Sequence, residues 1–486
     1  MLSASGYTDT LKGWEHELDT PREECGIIGL YTPEYESTRL AYFGLFALQH
    51  RGQESAGIAT SDGAQIRMHR DLGLVNQVFN SEEILQRLPG HISVGHNRYS
   101  TTGRNVLRNA QPIYCQSLIS DVAVGHNGNL INAVELREEL EAEGIIFQGT
   151  NDSEVIARLI VKYLGDGIES AVRQTMAKIK GAYSVVVLLR DKVVGFRDPN
   201  GVRPMIVGTV GKKGSMIASE SCAFGPIDGV IVRDVEPGEA VILDERGLTF
   251  FQAAEPARAA KCMFEFIYFA RPDSTMYGTT LYTARERMGE QLALEERAQG
   301  GVVNADIVVP VPDSGIPAAQ GFSRISGIPF KEGMMKSRYI HRTFIQPDQR
   351  MREMGVRMKL SPLRDHIRGK RVVLVDDSIV RATTTNQIVK MLFDCGAAEV
   401  HVRITAPPIM HPCFYGVDMA SRKELAAAKW SIDEIRERIG ATSLRYLSIP
   451  GAAMAVGREP DNFCLACFNG DYPIPVPEEL SKEAFE

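Results

Sequence analysis

Two adjacent carboxylates, Asp376 and Asp377, end the apolar run 372–375, and behind them come Ser378, Arg381, Ala382, Thr383, Thr384 and Thr385. Paired acids can hold sugar hydroxyls or a divalent cation, and small hydroxylated residues at a helix start present N–H groups and hydroxyls to a phosphate. The stretch predicts a sugar-phosphate site, since a plain helix cap needs one acid, not two. A second anion nest, Asp313, Ser314 and Gly315, closes the apolar stretch 306–311 just ahead of Pro317. Upstream, Cys25 precedes the apolar run 26–31, and polar clusters follow around His50, around His96 and Arg98, around Asn127 and Gly128, and around Asp152. A thiol is a usable nucleophile where a neighbouring base takes its proton. Cys262, Cys413 and the CxxC pair Cys464 and Cys467 fit zinc, a redox pair or an iron–sulfur cluster, and spacing does not choose among them.

Short strands and helices must carry these groups. Residues 26–31 read as a first buried strand, with further strands at 185–189, 193–196, 205–207, 216–219 and 240–243. The Ala/Pro-rich stretch 253–260 marks a boundary. Beyond it, Leu281, Ala284, Met288 and Leu292 give a helix ending near Gly300, 306–311 gives a strand, and Ile388, Val389 and Leu392 give a helix that Gly396 stops after Cys395. Residues 331–359 hold eight Lys/Arg against three acids, with Lys336, Arg338 and Arg342 close together, and are expected to form a mobile flap over a polyanion.

The chain has 486 residues, 44% hydrophobic and 24% charged, enough for two or three sizeable cores. Its net charge of -7 implies no general affinity for nucleic acid or membrane, and no apolar run approaches a membrane span. Residues 1–24 lack both an apolar signal region and amphipathic periodicity, so the chain reads as cytoplasmic. Eight cysteines in that compartment point to metal or catalysis before disulfides. Cys115, Cys222 and Cys395 are expected to be core or surface residues.

Cys25 and the ordered clusters that follow it resemble the class II glutamine amidotransferases, which are N-terminal-nucleophile hydrolases. The resemblance implies an αββα sandwich over 25–258, with residues 1–24 as a propeptide cut autocatalytically at Glu24–Cys25. It makes Cys25 the nucleophile and its freed α-amino group the base, which suits work near neutrality. Asn127 and the Gly128 N–H would form the oxyanion hole, Arg98 would clamp the glutamine carboxylate, and Asp152 would take its amino group. His96 and His126 are left as structural.

The stretch 370–385 is similar to the signature of type I phosphoribosyltransferases, which implies an α/β domain with a parallel sheet over 259–486. Asp376, Asp377 and the loop Ser378 to Thr385 would hold the ribose and 5-phosphate of phosphoribosyl pyrophosphate, with Asp313, Ser314, Gly315 and Lys336 at its pyrophosphate. Magnesium would sit near Ser314, Asp376 and Asp377. Both halves together resemble the propeptide-bearing, iron–sulfur subgroup of the glutamine phosphoribosylpyrophosphate amidotransferases. That likeness implies a 4Fe-4S cluster on Cys262, Cys413, Cys464 and Cys467, a homotetramer, feedback inhibition by purine nucleotides, and glutamine-dependent amination of phosphoribosyl pyrophosphate at the first committed step of purine synthesis.

Overall fold

Alternation of apolar side chains across short strands builds the first half of the chain. In β1 (Gly26–Tyr31), Ile27 and Tyr31 face one way while Ile28 and Leu30 face the other. Both sets are buried, so the strand needs a layer on each side. The structure, a computed structural model, describes residues 25–99, 105–337, 359–417, 419 and 422–477. Arg338 and Arg342 of the expected flap, and the whole of the expected propeptide, lie outside them.

The further strands of this half are β2 (Ser55–Ser61), β3 (Ile66–Leu72), β4 (Ile92–Arg98), β5 (Ile113–Cys115), β6 (Val122–Leu130) and β7 (Gly181–Leu188). After them come β8 (Val193–Arg197), β9 (Ile206–Val210), β10 (Gly214–Ala218), β11 (Val230–Asp234), β12 (Glu239–Asp244) and β13 (Gly247–Gln252). They form two antiparallel sheets, ordered β11-β9-β10-β1-β4-β2-β3 and β13-β12-β8-β7-β6-β5. Ile27, Val94, Val186, Val207, Ile217 and Val241 fill the space between the sheets. Outside, α1 (Ser37–Ala47) lays Ala41 and Leu45 on Ile28 and Leu30. The opposite face is covered by α2 (Ala133–Ala142), α3 (Asp152–Tyr163) and α4 (Ile168–Lys178), with Ile156, Ile160 and Val172 packed on Val122, Val185 and Val187. This is the expected αββα layering, with β11 and β13 added as edge strands that the sequence reading did not include.

The second half opens with β14 (Lys261–Cys262) and the small hairpin β15 (Thr275–Met276) and β16 (Thr279–Thr280). Next come α5 (Leu281–Ala298), β17 (Ile307–Pro310) and α6 (Ile316–Ser326), and then a ribbon of β18 (Met334–Lys336) and β19 (Leu360–Pro362). They are followed by β20 (Arg371–Asp376), α7 (Thr383–Asp394), β21 (Glu399–Ile404), α8 (Ile432–Ile439), β22 (Ser443–Tyr446), α9 (Ile449–Val456) and β23 (Phe463–Cys464). Strands β17, β20, β21 and β22 lie side by side in that order, all parallel. Parallel strands send every C-terminal end to one edge, where α/β folds bind ligands. Both sugar-phosphate loops leave from that edge. Among the described residues no helix is long and apolar enough to cross a membrane.

Helices α5 and α6 cross so closely that glycine is required at the contact. A Cβ on Gly321 would lie 1.9 Å from the Glu286 carbonyl oxygen, and one on Gly289 would lie 1.8 Å from that of Ala318. The crossing fixes α6, whose first turn follows the Asp313–Gly315 loop. Gly321→Ala is expected to destabilise the protein by about 1–3 kcal/mol through overpacking, despite alanine's helix propensity. Calorimetry reads this as a lower melting temperature, and an unchanged or raised one would contradict the crossing.

Candidate active sites

Antiparallel pairing sets the Cys25 thiol near the Arg98 guanidinium. Cys25 stands at the start of β1, Arg98 ends β4, and Gly26 lies opposite Asn97 in their shared register. The turn before β2 closes on both, since a Cβ on Gly52 would come within 2.7 Å of the Asn97 carbonyl oxygen. The Cys25 thiol donates to the Tyr99 carbonyl at 3.4 Å. Burial pushes this thiol up to about 11, although the Tyr99 hydrogen bond and the Arg98 charge pull it down. Near neutrality the sulfur therefore keeps its proton until a base takes it.

Strand β6 carries the facing groups. The Asn127 side chain is fully buried, and neither its Nδ2 nor its Oδ1 has a partner. Gly128 has φ +146°, and a Cβ there would meet the Ala182 carbonyl oxygen at 2.0 Å, so only glycine fits. At the start of α3, Asn151 caps the helix by accepting from Glu154 N–H, while Asp152 Oδ2 accepts from Leu130 N–H at 3.0 Å. Burial acts to raise the Asp152 carboxyl, but His126, the Leu130 N–H and Arg98 together hold it below the usual range. Cys25, Arg98, Gly128 and Asp152 line one cleft of about 230 Å³.

Tyr99, Gln111, His126 and Ser153 also line that cleft, and none was assigned a site role from sequence. His126, expected to be structural, lines the cleft with its Nδ1 at 3.2 Å from Ser153 Oγ and 3.7 Å from Asp152 Oδ1. Its adjacency to Asn127 is the signal that could have found it. His96 is buried against the His126 carbonyl at 2.9 Å, and burial pushes it down to about 3, so it is neutral.

The second site gathers at the ends of β17 and β20. Val311 N–H donates to the Val375 carbonyl at 2.8 Å, and a Cβ on Gly315 would lie 2.5 Å from the same oxygen, so the Asp313–Gly315 loop sits directly over β20. The Asp376 and Asp377 carbonyls are pinned by N–H groups of Thr405 at 3.1 Å and Ala406 at 2.7 Å. Asp377 Oδ1 accepts from Ser378 Oγ at 2.6 Å, but buried Oδ2 has no partner. Burial pushes this carboxyl up, against hydrogen bonds from Ser314 and Ser378 and the charge of Arg285. A buried, unpartnered carboxylate oxygen beside a serine fits a divalent cation or a sugar hydroxyl.

The loop that follows is held in an unfavourable shape. Ala382 has φ +69°, a left-handed conformation that costs an L-residue about 1–2 kcal/mol. The residue sits at the cap of α7, with Thr383 exposed and Thr384 half-buried, whereas Thr385 is buried and packs inward. Arg381 lies 3.6 Å from Glu424, and Lys336 pairs with Asp313 at 3.0 Å with both side chains exposed. Exposed pairs contribute only ~0–1 kcal/mol and exchange readily for a phosphate.

Four thiols meet between the two halves. Cys262 is registered against Cys464 where β14 pairs with β23, and Cys413 and Cys467 pack in the same region. Burial pushes Cys262 and Cys464 up to about 12, and neighbouring thiol charge raises them further. Among the described residues, the one set of three ligand atoms within 4.8 Å of each other is His50, Glu220 and Cys222. Cys222 is a core residue, within the range expected, and its Sγ also lies 3.6 Å from Glu220 Oε2. Glu220 is already bonded to His50, Arg51, Ser274 and Arg271 N–H.

Known proteins match this chain along both halves. Residues 96–225 match the glutamine amidotransferase domain family, and residues 280–434 match the phosphoribosyl transferase domain family. Amidophosphoribosyltransferase of Synechococcus elongatus is 50% identical over 473 residues, covering 96% of this chain and 94% of the relative. That of Archaeoglobus fulgidus is 49% identical over 461 residues, with 94% and 99% covered. Among solved structures, the glutamine phosphoribosylpyrophosphate amidotransferase of B. subtilis, complexed with ADP and GMP, is 42% identical with a TM-score of 0.88, covering 94% of this chain and 99% of its own. Another, described as the allosteric regulatory enzyme of purine biosynthesis, is 42% identical with a TM-score of 0.89, covering 95% and 99%. Likeness of this order along whole chains is a relationship of entire enzymes and not of one shared domain: the chain belongs to the amidophosphoribosyltransferase family, which aminates phosphoribosyl pyrophosphate with nitrogen from glutamine in purine biosynthesis.

Proposed function

We propose that the two sites act in series, an amidotransferase domain at 25–258 freeing ammonia and a phosphoribosyltransferase domain at 259–486 consuming it. The observation that carries this reading is the Cys25 cleft with Arg98, Gly128 and Asp152 on its wall. Glutamine lies there with its carboxylate on Arg98 and its amino group on Asp152. Removal of residues 1–24 frees the Cys25 amine, which takes the thiol proton as sulfur attacks the side-chain amide. The oxyanion that forms is met by Asn127 Nδ2 and the Gly128 N–H, in line with a buried side chain that has no other partner. Ammonia leaves, and water releases glutamate from the thioester.

In the acceptor domain, Asp376 and Asp377 hold the ribose hydroxyls, the loop Ser378, Arg381, Ala382, Thr383, Thr384 and Thr385 holds the 5-phosphate, and Asp313, Ser314, Gly315 and Lys336 hold pyrophosphate. Magnesium, when bound near Ser314, Asp376 and Asp377, supplies charge neutralisation to the departing pyrophosphate. These residues act by position and charge, since ammonia is already a good nucleophile at C1. The strained backbone at Ala382 supports a loop shaped for a ligand.

Cys262, Cys413, Cys464 and Cys467 would hold a 4Fe-4S cluster in a structural role, a reading that the all-thiol donor set packed in one region supports. Purine nucleotides inhibit the enzyme, a reading supported by the ADP and GMP bound to the B. subtilis relative. The chain assembles as a homotetramer, in keeping with the exposed apolar run Val230, Ile231 and Val232 on edge strand β11.

Three measurements test this reading. Cys25→Ala should abolish glutamine-dependent synthesis and keep ammonia-dependent synthesis, in an enzyme whose parent begins at Cys25 on N-terminal sequencing. Continued glutamine use would end the assignment. Asp377→Asn should instead weaken both reactions together, raising KM for phosphoribosyl pyrophosphate at least about tenfold, as expected for a lost charge-assisted contact. Protein purified without air should be brown and contain iron, and a colourless, iron-free preparation would rule out the cluster.

A further inference from the structure

Arg51 is fully buried and donates to groups from both halves of the chain. Its Nε donates to the Cys25 carbonyl at 3.1 Å. Its Nη1 and Nη2 grip Glu265 as a fork at 3.0 and 2.7 Å, and Nη1 also reaches Glu220. Glu265 is only 2% exposed and lies in the half that carries the phosphoribosyl loops, 214 residues from Arg51. One guanidinium therefore ties the peptide plane of the nucleophile to a carboxylate from the other half of the chain.

The carboxylate is itself held firmly. Glu265 opens a π-helix, Glu265–Phe269, a rare form that recurs at functional sites. Buried Arg285, on α5, braces that turn by donating to the Phe266 carbonyl at 2.9 Å and to the Ala270 carbonyl at 2.6 Å. The charge of Arg285 also faces Asp377 in the phosphoribosyl site. Arg203 faces Glu265 from the first half at 4.0 Å.

A planar fork fixes direction as well as distance, which an ammonium or an apolar side chain cannot do. With both Nη atoms bound to Glu265, the guanidinium plane cannot rotate, and its Nε stays aimed at the Cys25 carbonyl. Cys25 immediately precedes β1, so its carbonyl is the last fixed point before the atoms that react. Movement of that peptide plane swings both the thiol and the amine.

We infer that Glu265 is a positioning residue for glutamine hydrolysis, so that the amidotransferase site is completed by a side chain from the phosphoribosyltransferase half. The inference rests on the proposed role of Cys25. Glu265 touches neither substrate nor nucleophile and acts through Arg51.

The test uses the full-length enzyme carrying Glu265→Gln, an isosteric change that keeps one hydrogen bond and removes the charge. Glutamine hydrolysis should lose at least about tenfold in kcat with KM for glutamine within about twofold, as for a nucleophile slightly misplaced in an intact cleft. Ammonia-dependent synthesis should stay near the parent rate. Alkylation of Cys25 by iodoacetamide, followed by mass spectrometry, should slow in parallel with kcat, which a merely structural role would not produce. Glu265→Asp, which keeps the charge but withdraws it by one methylene, should behave in the same way.

Parental alkylation and kcat in a folded variant would overturn the inference. So would an equal fall in glutamine and ammonia use, or failure of both variants to fold, since each outcome gives Glu265 a general structural role. Cys25→Ala separates the two readings. If that variant still uses glutamine, the nucleophile itself is misassigned; if it does not, and Glu265→Gln hydrolyses glutamine normally, only the positioning role fails.

Discussion

A polar side chain buried without a partner costs about 1–3 kcal/mol, so each one that a folded chain keeps calls for an explanation. Asn127 keeps both ends of its buried amide unpartnered, and Asp377 one oxygen of its buried carboxylate, one residue in each half of the molecule. Asn127 lies within β6, three residues before its end, and Asp377 directly follows β20. Leu130 N–H is satisfied by Asp152, and the carbonyls of Asp376 and Asp377 are satisfied by the N–H groups of Thr405 and Ala406, just past the end of β21. Other buried polar atoms among the described residues also lack partners, His126 Nε2 and Tyr183 OH among them, but Asn127 and Asp377 are the ones for which a part in the chemistry is proposed.

Buried arginines do the joining. Arg51, Arg197, Arg203 and Arg403 are among the largest fully buried side chains, and each ends on carboxylates or backbone carbonyls. Replacing such pairs by apolar residues of similar volume often leaves a protein as stable or more so. What the arginines contribute here is direction. Arg203 donates to the Tyr415 carbonyl in the segment that bears Cys413, and Asn129 Nδ2 donates to the neighbouring Phe414 carbonyl at 2.9 Å. The strand that carries the oxyanion groups is therefore braced by the thiol-bearing segment as well as by its own sheet.

Much of this was legible in the sequence because it is local. The period-2 burial of Ile27, Ile28, Leu30 and Tyr31, and the run from Val372 to the acid pair, each state a strand and its end within a few residues. The two anion loops and the cleft residues Cys25, Arg98, Gly128 and Asp152 were readable from residue type and order. What escaped depends on partners chosen by the fold. Nothing near Arg51 announces Glu265, and nothing near Cys222 announces that it shares a polar cluster with Glu220 and His50. The left-handed turn at Ala382 escaped for a different reason: alanine carries no local signal for φ above zero, so tertiary contacts impose it.

The pairing of Cys262 with Cys464 also bears on the order in which the molecule is made. A ribosome extends a chain at about 5–20 residues per second, so the interval between completing β13 at Gln252 and adding Cys464 is roughly 10–40 s. During that time the two antiparallel sheets can form, but Asn129 lacks Phe414, Arg203 lacks Tyr415, and Cys262 has no strand to lie against. The contacts that brace Asn129 and Arg203, and the partner strand of Cys262, therefore come into being only when the chain is almost fully synthesised, so the first half completes its packing after nearly all of the second has been made.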